Sequence, residues 1–119
     1  MHELAVCQAL IEQVEILAEE HRAVGVNKII VRIGPLSGVE PTLLEQAYEI
    51  ARAGTVAAEA RLVFEDAPLV VHCSHCDRDA EVDPNRLVCP ACGNWRTTLV
   101  SGDEMLLARL ELDAPTVLH

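Results

Sequence analysis

Aromatic side chains are nearly absent from this chain: one Trp, one Tyr and one Phe stand in 119 residues. A core must therefore be assembled from Leu, Ile, Val and Ala, and a 50% hydrophobic composition is too apolar for a disordered chain. Basic residues are scarce as well. Nine Lys and Arg against nineteen Asp and Glu leave a net charge of −10 and a pI near 4.8. No Lys/Arg cluster exists to neutralise phosphates, which argues against nucleic acid as a partner. No apolar run approaches the ~20 residues that span a bilayer, and the start lacks the charged-then-apolar pattern of a secretory signal. Neither membrane insertion nor export is expected, and the location implied is cytoplasmic. A P-loop, a dinucleotide fingerprint and a Ser/His/Asp set are also missing, so the chain reads as a carrier or binding protein and not as an enzyme. Repeats and low-complexity tracts are not found.

What the chain does have is cysteine in an ordered arrangement. Cys73-Ser-His-Cys76 and Cys89-Pro-Ala-Cys92 are separated by twelve residues, and Cys7 stands apart. In a cytoplasmic chain, paired C-x-x-C motifs point to a metal site rather than to disulfides. Two thiolates three positions apart reach one ion while the tight turn between them aims backbone N–H groups at the sulfurs. Two such knuckles complete a tetrahedral S4 shell, which suits zinc. Four protein thiolates leave no open position for catalysis, so the role expected is structural. A segment of about 35 residues with few large apolar groups needs a staple of this kind to fold. Iron in a rubredoxin-like S4 site fits the same pattern, and two redox dithiols are a further alternative. Gly93, after the second pair, suits a turn with positive φ.

Around this segment the patterning alternates between helical and strand periods. Leu4, Cys7, Leu10, Ile11, Val14, Leu17 and Ala18 recur at helical spacing, predicting a helix of about 18 residues from near Glu3, with Glu12, Glu15, Glu19 and Glu20 mostly opposite. Residues 27–34 predict a strand with Ile29, Val31 and Ile33 on one face. Leu43, Leu44, Ala47, Ile50 and Ala51 mark a second helix after Pro41, ending at Gly54. Residues 60–66 form a second strand. Residues 95–113 predict two strands joined at Ser101-Gly102-Asp103, the latter with Leu106, Ala108, Leu110 and Leu112 on one face. The fold class expected is α+β: two helices packed on a small three-stranded sheet, with an inserted zinc-ribbon-like domain. The domain limits that follow are 1–67 plus 102–119 for the α/β part and 68–101 for the zinc part. Net charge follows the same division, with −6 over 1–67, −1 over 68–102 and −3 over 103–119.

The amino terminus, Met1-His2-Glu3, carries a second metal-binding pattern. An α-amino group titrates near 7.7–8, far more easily than a lysine. The Met1 amine, the His2 amide nitrogen and a His2 ring nitrogen can chelate one ion in fused rings. Metals that prefer square-planar nitrogen donors, Ni(II) and Cu(II), favour ionisation of that amide. Glu3 adds a carboxylate beside them, and the bulky residue at position 2 protects Met1 from removal. Chance occurrence of Met-His is the plain alternative.

Taken together, "MHELAVCQALIEQVE", the loop "RIGPLSGVEP" and the four-cysteine segment followed by "SGDEMLLARLELD" resemble the HypA/HybF family of hydrogenase nickel-incorporation proteins. The resemblance covers about residues 1–113. It implies a nickel metallochaperone for [NiFe] hydrogenase maturation, in some members for urease, built as an α/β nickel domain carrying a structural zinc domain. Partners implied are the GTPase HypB, which would supply any GTP hydrolysis, and the hydrogenase large-subunit precursor; the sequence leaves a homodimer open beside a monomer. It assigns nickel to Met1, His2 and Glu3 and zinc to Cys73, Cys76, Cys89 and Cys92. Glu40 corresponds to an acidic loop residue that lies near the nickel site in relatives. Where a glycine is expected after the first knuckle, Asp77 stands instead.

Remaining residues divide between structural and functional readings. Cys7 lies on the apolar stripe of the first helix and is expected to be a buried thiol. His72 and His75 flank Cys73 and read as surface residues, alternative zinc ligands, or a nickel ligand that swings in. His21 and His119 carry no functional signal. Trp95 is expected to pack over the thin core of the cysteine module.

Overall fold

The computed structural model describes residues 3–113. Elements run in the order α1 (Glu3–Glu20), β1 (Gly25–Ile33), α2 (Pro41–Ala51), β2 (Arg61–Asp66), β3 (Val70–Cys73), β4 (Arg78–Glu81), β5 (Thr97–Ser101) and β6 (Met105–Asp113). The fold is a mixed α+β arrangement of two helices and two three-stranded sheets, ordered β2-β1-β6 and β4-β3-β5. The chain forms two compact units. One comprises residues up to Val31, Val39–Phe64 and residues from Leu107; the other comprises Arg32–Gly38 and Glu65–Leu106. Among the described residues no helix is long and apolar enough to cross a membrane.

In the first unit the helices pack against each other. The stripe of α1 buries Cys7, Leu10, Ile11, Val14 and Ala18, while α2 buries Leu44, Ala47 and Tyr48. Between them the Cys7 thiol donates to the Leu44 carbonyl at 3.3 Å, so Cys7 is the buried structural thiol that its position on the stripe predicts. Leu4, in the first turn of α1, is instead exposed, and so are Leu43 and Ile50 of α2, Ile50 by 71%. The reason lies in the narrowness of the α2 stripe. Positions 44, 47, 48 and 51 share one face, and residue 50 falls well round the helix from them. Tyr48, which the apolar periodicity passed over, fills the space: its hydroxyl donates to the carbonyls of Ala57 and Ala60. Glu40 caps α2, its Oε1 accepting from Thr42 N at 3.4 Å, with Pro41 in the first turn. The helix closes at Ala51, and Gly54 takes its positive φ of 74° in the turn beyond.

The core of the second unit is thin. Ile33, Ala67, Leu69, Val71, Cys73 and Cys89 are its buried side chains, and none is aromatic. Trp95 does not cover it. The ring is 73% exposed, with the Arg96 guanidinium 5.3 Å from its centroid. Two sulfur-bearing knuckles and small aliphatic groups leave no slot for an indole.

The strands on either side of Ser101-Gly102-Asp103 do not form a hairpin. β5 pairs with β3, placing Thr98 opposite His72 and Thr97 opposite Cys73, whereas β6 belongs to the other sheet beside β1. The loop between them is occupied by a close approach. Gly34 and Leu36 donate to Glu104 O and Gly102 O at 2.8 and 2.7 Å, and a Cβ on Gly34 would overlap the Gly102 carbonyl. Gly102 itself has φ 120° and lies against Leu69. Contact of two backbones, not a two-residue turn, is what the glycines permit.

Candidate metal centre

Strand β3 ends at Cys73, and the chain turns at once. The Asp77 amide donates to Cys73 O at 2.8 Å, closing the turn, and the Cys76 amide points at the Cys73 sulfur at 3.4 Å. Asp77 adopts φ 54°, the left-handed conformation that a glycine would take without strain, and β4 then pairs back antiparallel on β3. In the second knuckle Gly93, with φ 73°, donates to Cys89 O at 2.7 Å, and Cys89 N donates to Asn94 O at 3.0 Å. The knuckles are tied to one another by Ser74, whose hydroxyl donates to Arg96 O at 3.1 Å.

These turns bring all four cysteines of the two motifs together. Their sulfurs lie within 4.8 Å of one another, with Cys73 Sγ 3.7 Å from Cys92 Sγ and Cys89 Sγ 4.0 Å from Cys76 Sγ. A divalent ion bound by four thiolates at about 2.3 Å sets its sulfurs about 3.8 Å apart. The donor set therefore fits a tetrahedral S4 ion with little adjustment. Cys73 and Cys89 are buried, Cys76 is half-buried and Cys92 is exposed. The backbone N–H of Cys92, assisted by that of Ala91, holds the Cys89 pKa down to about 7. Hydrogen bonding to the Cys92 sulfur, with burial and the neighbouring Cys89, pushes Cys76 up to about 12. One sulfur is thus poised as a thiolate near neutral pH, and the remaining protons leave as an ion binds.

The histidines beside the motif differ sharply. His75 is exposed. His72 has Nδ1 at 2.7 Å from Asp79 Oδ1 and Nε2 at 3.2 Å from Asp77 Oδ1. Both ring nitrogens face carboxylates, and the Asp79 hydrogen bond together with the Asp77 charge raises the His72 pKa above the ordinary imidazole value. The pairing was hidden in the sequence, because only the β3–β4 register sets Asp79 opposite His72.

At the other candidate site, Met1 and His2 lie outside the described residues. Glu3 is the first residue of α1, half-buried, and its charge adds to burial in raising the Cys7 pKa. Glu40 is exposed and engaged as the α2 cap. His21, also exposed, places Nδ1 2.8 Å from Leu17 O at the end of α1.

The family model described as "Hydrogenase/urease nickel incorporation, metallochaperone, hypA" matches residues 1–112. The chain belongs to the HypA family. Among HypA proteins, the hydrogenase maturation factor HypA of Nitrosospira multiformis is 48% identical over 112 residues, spanning 94% of this chain and 97% of that protein. The hydrogenase maturation factor HypA of Aquifex aeolicus is 42% identical over 113 residues, with 95% and 98% covered. A solution structure of the Ni metallochaperone HypA from Helicobacter pylori superposes with a TM-score of 0.74 at 28% identity, covering 97% of this chain and all of that one. HypA proteins are metallochaperones and maturation factors; this member is a carrier and not an enzyme.

Proposed function

We propose that this HypA-family protein carries Ni(II) at its amino terminus and delivers it during [NiFe] hydrogenase maturation, with urease as a second destination. The observation that carries the reading is the end-to-end family match to nickel-incorporation metallochaperones in a chain that opens Met-His-Glu. The ligands are the Met1 amine, the His2 amide and ring nitrogens, and the Glu3 carboxylate, with Glu40 as a neighbour. A delivery site holds its cargo with few, accessible donors, so that an acceptor displaces them one at a time. A chain end meets that requirement; an S4 cage does not.

Zinc is the ion assigned to Cys73, Cys76, Cys89 and Cys92. Supporting it are the sulfur separations and a thin aliphatic core that needs a cross-link. Bound there, zinc supplies no open coordination position, and its part is to fix the shape of the module. The nickel part corresponds to residues 1–67 plus 102–119 and the zinc part to 68–101. The absence of any nucleotide fingerprint leaves GTP hydrolysis to a partner, HypB, with the hydrogenase large-subunit precursor as acceptor and a homodimer as the carrier's own assembly. The setting is the cytoplasm.

Calorimetric titration of Ni(II) into protein with an unextended Met1 tests the site. His2→Ala, or residues added before Met1, should abolish nickel binding and leave one zinc per chain. Unaltered nickel affinity in His2→Ala would end the reading.

A further inference from the structure

We infer that His72 is a positioning residue of the four-cysteine centre: its imidazole ties the turn that delivers Cys73 and Cys76 to strand β4 by bridging Asp77 and Asp79. The inference rests on the reading of that centre as a zinc site. Asp77, directly after Cys76, holds a left-handed φ of 54° that an L-residue adopts at a cost and a glycine does not. Something must hold it there. Its own amide is bound to Cys73 O, and its carboxylate lies 3.2 Å from His72 Nε2. The opposite edge of the same ring lies 2.7 Å from Asp79, the residue facing His72 across the β3–β4 ladder.

One rigid five-membered ring thus spans two carboxylates flanking Arg78, the residue paired with Cys73. Rotation of the knuckle away from its partner requires breaking that bridge. With both nitrogens engaged, His72 is a brace and not a fifth ligand in waiting. Exposed ion pairs contribute little to global stability, since Asp77 and Asp79 are largely in water. The effect belongs to how long the metal is held. Partners that orient metal ligands without touching the metal alter its affinity about 10–100-fold.

The test is the rate at which zinc passes from the purified full-length protein to excess EDTA. His72→Ala should release zinc about tenfold faster or more, and His72→Gln, which can serve only one carboxylate, should fall between. In an Asp77→Gly background, where the turn no longer needs holding, His72→Ala should add less than about threefold. Cobalt-substituted protein should show shifted ligand-field bands in His72→Ala and unshifted ones in His75→Ala, the exposed side chain of the same turn. A wild-type release rate in His72→Ala and His72→Gln, equal acceleration in both backgrounds, or equal acceleration by His75→Ala would overturn the brace. Wild-type protein without zinc would sink the metal assignment itself, whereas zinc-loaded protein indifferent to His72 would sink only the brace.

Discussion

Tyr48 is the largest fully buried side chain among the described residues, and its one hydroxyl proton is shared between Ala57 O and Ala60 O at 3.3 and 2.8 Å. Ala60 O also accepts from Arg52 Nη1 at 3.0 Å, so removing the hydroxyl does not leave that carbonyl orphaned. Tyr48→Phe is therefore expected to destabilise by about 1 kcal/mol, the typical net contribution of a hydrogen bond. A urea midpoint lowered at constant slope is the readout; an unchanged midpoint would show that the shared hydrogen bond contributes nothing net. Cys7 yields a pH prediction. Burial, then the Glu3 charge, raises its pKa above the ordinary 9.0, so the folded chain holds this proton more tightly than the unfolded one. That contribution is whole below pH 9 and is lost as pH climbs through and past it. Burial of Tyr48 acts the same way above its ordinary 10.0. Stability should fall as pH rises above 9, and Cys7→Ala should start lower but fall less steeply. Parallel curves would contradict the assignment.

Helices and strands were readable from periodicity where one face is buried and the other wet. The 18 residues of α1 begin at Glu3 as the stripe predicts, and the β1 residues Ile29, Val31 and Ile33 are all buried. Local sequence is silent where the decisive contact is between backbones or between strands distant in sequence. Nothing local distinguishes Ser101-Gly102-Asp103 in a crossing from the same residues in a hairpin; the difference is Gly34, 68 positions away, on which Gly102 lies. Gly34→Ala should accordingly cost about 3 kcal/mol or more, because the colliding atoms are main-chain and cannot turn aside. A midpoint within experimental error of wild type would refute the close approach. Of the candidate site, the four thiols were legible because motif spacing encodes the turn itself. The His72 brace and the capping role of Glu40 were not, since each depends on which residue the fold sets opposite. Glu40→Ala should lose about 0.5 kcal/mol, given a long 3.4 Å cap bond, as a lowered thermal midpoint. Glu40→Gln keeps an acceptor for the cap, so a fall in its nickel affinity would mark the carboxylate as a nickel neighbour.

At the scale of the whole molecule the two units depend on different forces. The first buries aliphatic side chains from both helices together with Tyr48, while the second buries a handful of small groups around its sulfurs. Removing the zinc proposed for the four-cysteine centre with a chelator should raise amide exchange throughout β3, β4 and β5 and leave the helical circular dichroism largely intact. Loss of the helical signal in step with zinc would mean that the first unit cannot stand without the metal. On the proposed function, cargo and resident metal use separate donor sets, terminal nitrogens for one and four sulfurs for the other. X-ray absorption at both the nickel and zinc edges of one sample, with an unextended Met1 and one equivalent of Ni(II), tests this most directly. Nitrogen and oxygen scatterers alone are expected around nickel, and four sulfurs at about 2.3 Å around zinc. Sulfur in the nickel shell, or zinc displaced into solution as nickel binds, would contradict it.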